Sequence, residues 1–187
     1  MLKEIVLFKT NVYHTILKNV DNEKIKTYVS KIKNEPHHII TSNLNGYHSR
    51  IFHDPFPVCV DNLHKVIKKN LNKVAKDYQC KGDLYPHLSW FMINKKNDFN
   101  KPHKHPPYTF KGIYYVECPE DSGDIIFNNQ MEMNNYAMSY EVLNELNSKD
   151  FRIKPEKNLL LIFPAWLEHY TTPNKTNKER ISYNFVI

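Results

Sequence analysis

The alternation of apolar and polar positions changes character near the middle of the chain. From Asp21 to Asn34, Ile25, Tyr28, Val29 and Ile32 recur at helical spacing behind a capping aspartate, which predicts an amphipathic helix. From Val60 to Tyr78 the stripe is longer. Val60, Leu63, Val66, Ile67, Leu71, Val74, Ala75 and Tyr78 share one face, with lysines opposite. Between the two, SNLNGYHSRIFHDPFP (42–57) carries Asn, Gly and Pro punctuation and reads as an ordered loop. After Gly82 the runs are short, β-branched and aromatic: LSWFMIN, FKGIYYVE, GDIIF, NLLLIFP, EHYTT and RISYNFVI. They predict an antiparallel β-sandwich or barrel on which the helices pack. The stretch 139–147, SYEVLNELN, fits either a short helix or an irregular insertion.

Length places all of this in one domain, 1–187, with 1–81 as helical support and 82–187 as the β core. A chain that is 41% hydrophobic and 13% aromatic has the material for such a core, which excludes a disordered protein. The formal charge of +6 comes from lysines spread along the chain and interleaved with asparagines. That is a solvated surface first, and only weak support for a nucleic-acid partner. Cys59, Cys80 and Cys118 have no CxxC spacing, so neither a disulfide framework nor a zinc knuckle is expected, and a reducing cytoplasm fits. No run approaches the roughly 20 apolar residues of a membrane span. The apolar N-terminal run, broken by Lys9, lacks the core of a signal peptide. The expectation is a soluble protein with no membrane partner.

His103 and His105 carry the first chemical signal. On a strand, residues two apart share a face about 7 Å apart, so both imidazoles can reach one ion while Lys104 points away. Imidazole suits Fe, Zn, Cu or Ni. A third ligand has to come from elsewhere, and His169, after the apolar run and Pro-centred turn of LLLIFPAWLEH, is the candidate. A solvated histidine pair is the plain alternative, and Asp98 in the preceding loop is an alternative carboxylate ligand. Farther on, Arg180 and Ser182 share one strand face, and the turn PNKTNKE returns Arg180 toward Thr171. An inward guanidinium needs an anion, either a bound carboxylate or an internal Asp or Glu. Lys111 has the parity of Ile113 and Tyr115, and its long stem favours reaching back to solvent over entering a pocket.

Taken together, His103-x-His105, IYYV, SGD before IIF, FPAWLEH and ERIS resemble the iron(II) and 2-oxoglutarate dependent oxygenases. The likeness is greatest to a small group with HxHP, SGVYYV, FPSWLEH and ERIS signatures, related to the prolyl 4-hydroxylase branch, and SNLNGYHS extends it toward the N-terminus. The resemblance implies a double-stranded β-helix, a cupin-like jelly roll, with Fe(II) in its mouth. It also implies 2-oxoglutarate and O2 as cosubstrates and hydroxylation of a small-molecule or peptidyl substrate. By position, His103 and His169 are metal ligands and His105 stands where the usual carboxylate ligand would be. Arg180 and Ser182 hold the far carboxylate of 2-oxoglutarate, with Tyr115 and Asn94 beside it. A neutral histidine in place of a carboxylate leaves the metal one unit more positive. Two other classes stay open: a cupin-like dioxygenase that does not use 2-oxoglutarate, and a non-catalytic β-sandwich binding module. The first is weakened because Pro107, Tyr108, Thr109 and Phe110 stand where cupins carry a glutamate. Substrate choice is expected to reside in the loops 42–57 and 128–150.

Overall fold

The computed structural model describes residues 2–35, 41–130, 139–144 and 146–187. Both helical stripes form helices. In α1 (Asn22–Ile32) the Asp21 carboxylate accepts the Lys24 N–H at 3.0 Å, satisfying one of the orphan donors of the first turn. A 3-10 turn at Val58–Val60 leads into α2 (Asp61–Asp77). Their apolar stripes, Ile25, Val29 and Ile32 with Leu63, Ile67, Leu71 and Val74, are buried in one cluster.

The strands are β1 (Tyr13–Ile16), β2 (Asn43–Leu44), β3 (Tyr47–His48), β4 (Leu88–Asn94), β5 (Phe99–Asn100), β6 (Phe110–Glu117), β7 (Ile125–Asn128), β8 (Asp150–Ile153), β9 (Leu159–Pro164), β10 (His169–Thr171) and β11 (Arg180–Val186). Six of them form an antiparallel sheet in the order β1-β9-β6-β11-β4-β3. Three more form a second sheet, β10-β7-β8, and β2 pairs with β5. This is a double-stranded β-helix, mainly β, with two α-helices among the described residues.

The larger sheet is covered on both faces. Phe91 and Ile93 of β4, Tyr114 and Val116 of β6, and Ile181, Tyr183 and Phe185 of β11 pack against the helices. The opposite parity, Ile113, Tyr115, Leu159, Leu161 and Phe163, meets Ile125 and Phe127 of the smaller sheet. Two buried faces explain why these strands read as continuous apolar runs rather than as alternation. Gly112 is where β6 admits the Phe185 ring of β11, because a Cβ there would overlap that ring.

Three features differ from the sequence reading, and a fourth decides between its alternatives. β1 was not anticipated; it extends the large sheet by pairing Tyr13 with Ile162 of β9. β8, also unanticipated, edges the smaller sheet. The 42–57 segment is more than a loop, since β2 pairs with β5 and β3 with β4, so the N-terminal part supplies strands as well as helices. Within 139–147, residues 139–144 and 146–147 form bends and turns with no helix, while 131–138 and 145 lie outside the described residues. The three cysteines are free thiols. No helix among the described residues is long and apolar enough to cross a membrane.

Candidate metal and cosubstrate site

His103 and His105 do not sit on a strand, as the spacing suggested. They lie in the segment between β5 and β6, fixed by backbone bonds to the FPAWLEH segment. His103 and His169 exchange both backbone hydrogen bonds, at 3.0 and 3.1 Å, and the His105 N–H donates to the Ala165 carbonyl at 2.8 Å. The ladder brings three rings together: centroids are 4.9 Å apart for His103 and His105, 4.4 Å for His103 and His169, and 5.2 Å for His105 and His169. One ligating nitrogen from each lies within 4.8 Å of the others.

The remaining ring nitrogens decide the tautomers. His103 Nδ1 lies 2.7 Å from the Lys101 carbonyl and His169 Nδ1 lies 3.0 Å from the Leu167 carbonyl. A carbonyl only accepts, so Nδ1 carries the proton in both rings and Nε2 keeps a free lone pair. Nε2 of His105 and of His169 is buried with no hydrogen-bond partner. Burial lowers the pKa of all three histidines, with the nearby Lys111 charge acting in the same direction. Neutral, clustered imidazoles with orphaned lone pairs fit a borderline metal ion such as iron. Asp98 is not part of the cluster. Its carboxylate accepts the Lys95 N–H at 2.7 Å and closes the turn after β4.

Arg180 anchors the other end of the site. It pairs in register with Asn94 across β11 and β4, and its guanidinium is 2% exposed. Nη1 donates to the carbonyls of Ser122 and Gly123 at 2.8 and 3.1 Å. Nη2 donates to Asn94 Oδ1 at 3.1 Å and to Thr171 Oγ1 at 3.3 Å, the neighbour anticipated from the turn. Every partner is a neutral oxygen, and no carboxylate pairs with Arg180 among the described residues. The SNLNG motif supports this end. The Asn43 side chain donates to the Gly46 carbonyl at 2.7 Å and so folds the turn that seats Gly46 against Asn94. A Cβ on Gly46 would stand 2.8 Å from Asn94 Nδ2.

His103, His105, His169, Asn94, Tyr115, Arg180 and Ser182 all line one cavity of about 350 Å3. His53 and His87 line a separate one beside α2. Ser182 lies opposite Tyr115 in register. Burial raises the Tyr115 pKa well above the ordinary phenol value, so it remains a neutral hydrogen-bond donor.

Three further residues of the cavity were not singled out from sequence, or were placed wrongly. Lys111 was expected to reach solvent, yet it is 1% exposed and lines the cavity. Its Nζ donates to the Gly112 carbonyl at 2.9 Å and to Asn184 Oδ1 at 3.0 Å, and lies 4.3 Å from the Trp90 ring centroid. Asn184 continues the parity of Arg180 and Ser182, a signal visible in RISYNF. His48 stacks on Trp90 at 5.5 Å and 9°, which no local pattern announces.

Residues 88–186, more than half of the chain, match the family model described as "Putative 2OG-Fe(II) oxygenase". The chain belongs to this family, and it is a 2-oxoglutarate-dependent non-haem iron oxygenase with Fe(II) and 2-oxoglutarate as cofactor and cosubstrate. No curated protein sequence matches it. Among solved structures it is similar to a Pseudomonas putida prolyl-4-hydroxylase, at 9% identity over 95% of this chain and 92% of that one, with a TM-score of 0.65. A viral collagen prolyl hydroxylase from Paramecium Bursaria Chlorella virus-1, in complex with 2-oxoglutarate, shares 14% identity over 94% of each chain, with a TM-score of 0.60. The α-ketoglutarate-dependent epimerase SnoN of nogalamycin biosynthesis shares 10% identity over 95% of this chain and 78% of that one, with a TM-score of 0.69. At these identities the likeness is one of fold.

Proposed function

We propose that His103, His105 and His169 hold Fe(II) through Nε2. In this reading Arg180 and Ser182, with Tyr115 and Asn94 beside them, hold 2-oxoglutarate, and the oxygenase hydroxylates a small-molecule or peptidyl substrate admitted to the same cavity. The observation that carries the reading is the pair of buried, unpartnered Nε2 atoms on His105 and His169, grouped with His103 so that one ligating nitrogen from each lies within 4.8 Å of the others. Iron held there supplies O2 activation coupled to oxidative decarboxylation of 2-oxoglutarate to succinate and CO2.

The protein's own residues do the rest. Burial keeps the three imidazoles unprotonated at neutral pH, so metal need displace no proton. Arg180 presents a fixed charge for the far carboxylate, already oriented by four neutral acceptors. Tyr115 and Ser182 offer hydroxyls on adjacent strands beside it. With no carboxylate among the ligands, the metal's charge is balanced by the cosubstrate itself. The whole chain acts as one catalytic domain, in the cytoplasm, where its free thiols stay reduced. The similar structures include prolyl hydroxylases and an antibiotic-pathway epimerase, which supports peptidyl and small-molecule substrates alike.

Anaerobic titration of Fe(II) with and without 2-oxoglutarate tests this reading. A visible charge-transfer band that needs both components is expected in the parent and absent in His169→Ala, which also loses stoichiometric Fe(II). His105→Asp is expected to retain metal and His105→Ala to weaken it. Full Fe(II) binding by His169→Ala would overturn the ligand assignment.

A further inference from the structure

Lys111 is a buried amine in the cavity that the proposed chemistry leaves unused, and burial pushes its pKa well below the ordinary lysine value, so that the ammonium form calls for an anion beside it. Burying an ammonium is costly unless it is paired, and Lys111 has no ion-pair partner among the described residues. No aspartate or glutamate among the described residues lines the cavity. The ammonium has three donors and spends two, on Gly112 O and Asn184 Oδ1. Asn184 is held in that orientation by its own Nδ2, which donates to Ser182 Oγ at 3.0 Å. Trp90 faces the charge at 4.3 Å and also lies 5.8 Å from the His105 ring, so Lys111 and the histidine cluster share one aromatic neighbour.

The geometry points to Lys111, with Asn184 and Trp90, as the anchor for a carboxylate on the substrate, which makes the substrate class a small organic acid or an acidic side chain. This deepens the oxygenase reading and rests on it. The proposed cosubstrate anchor is Arg180, which leaves Lys111 unassigned. Asn184 is four residues from Arg180 on β11, about 13 Å along the strand. A five-carbon dicarboxylate is only about 5 Å between its end carbons at ordinary bond lengths. A cavity of about 350 Å3 that also houses 2-oxoglutarate leaves room for a small molecule or one side chain, being at the low end of ligand sites.

The probes are hexanoate, its uncharged isostere hexanamide, and acetyl-glutamate amide as a blocked acidic residue. Each is titrated calorimetrically into anaerobic protein loaded with Fe(II) and 2-oxoglutarate. Hexanoate is expected to bind about tenfold or more tightly than hexanamide, as a charge-assisted contact requires. Lys111→Met is expected to remove that preference while its 2-oxoglutarate affinity stays close to the parent's. Competition by acetyl-glutamate amide would identify an acidic side chain as the source of the carboxylate, and its absence a free acid. The melting temperature of metal-free Lys111→Met should equal or exceed the parent's, since an apolar chain of similar length replaces a buried ionisable group that has no ion-pair partner among the described residues.

Three results would overturn the assignment: equal binding of hexanoate and hexanamide by the parent, an undiminished preference in Lys111→Met, or a lowered melting temperature marking Lys111 as structural. A loss of 2-oxoglutarate affinity as large as that of Arg180→Ala would instead move Lys111 into the cosubstrate site. If the parent shows no Fe(II)–2-oxoglutarate band, the function reading fails separately, and hexanoate titration of the metal-free protein still decides Lys111.

Discussion

At the scale of single residues, the site is a set of charges and lone pairs held by neutral scaffolding. Removing Arg180 takes away the only guanidinium among the described residues that line the cavity. Arg180→Ala is expected to weaken 2-oxoglutarate binding by about 2–5 kcal/mol while Fe(II) binding persists, and Ser182→Ala by roughly 1 kcal/mol. Calorimetric titration of iron-loaded proteins measures both, and equal affinities in parent and Arg180→Ala would make Arg180 structural. Gly123 is as constrained as the arginine it serves. Its φ is +95°, and a Cβ would overlap the Thr172 carbonyl and stand 3.0 Å from Arg180 Nη1. Gly123→Ala is expected to cost about 2 kcal/mol or more in urea denaturation and to weaken 2-oxoglutarate binding as well. Much of this was legible in the sequence. Arg180, Ser182 and Asn184 alternate on one strand face, and the SGD turn marks the glycine. What the letters did not disclose was the direction Lys111 takes, because strand parity gives a face and not the depth of cover above it.

At the scale of elements, helix and sheet are joined through polar contacts as well as apolar burial. Asn22, at the start of α1, donates to the Val116 carbonyl at 3.1 Å and to Asn158 Oδ1 at 2.7 Å, and accepts from the Tyr114 hydroxyl at 3.0 Å. Asn22→Ala leaves a buried carbonyl without that donor. It is expected to cost about 1–3 kcal/mol by chemical denaturation with Fe(II) stoichiometry intact, and a loss below about 0.5 kcal/mol would show that apolar packing alone docks α1. The helices themselves were readable, since a period of 3.6 with an Asp cap has few competing interpretations. The short strands were less so. β1 and β8 are four residues each, and β2 and β3 two each; segments that short are defined by the strand they find rather than by their own pattern.

For the molecule as a whole, acid sensitivity follows from its buried histidines. His64 on α2 contacts the Tyr183 hydroxyl of β11 at 2.6 Å, and burial lowers its pKa from 6.5 to about 4. The unfolded chain therefore binds this proton first. Between about pH 6.5 and 4 stability falls as pH falls, by up to about 1.4 kcal/mol per unit, and above 6.5 the contribution is constant. The three clustered histidines add the same sign in metal-free protein. Urea denaturation at pH 7 and pH 5 should show His64→Gln losing less stability than the parent across that interval. Equal losses would mean that His64 is protonated in the folded state.

The sequence by itself determined the two helices, the main β runs, the class of chemistry and the residues expected to perform it. The elements rest on a local period, the metal candidates on spacing, and the class of chemistry with its cosubstrate residues on the resemblance that the motifs carry jointly. Tertiary structure decided what depends on distant neighbours. It turned Asp98 into a turn cap, because the nearest available donor was the Lys95 N–H of its own turn. It placed His103 and His105 in an irregular segment and still aligned them, because backbone bonds to Ala165 and His169 fix the ring positions. It turned Lys111 inward beside Trp90, where the Gly112 carbonyl and Asn184 Oδ1, both from the sheet around it, supply the acceptors that water would otherwise give.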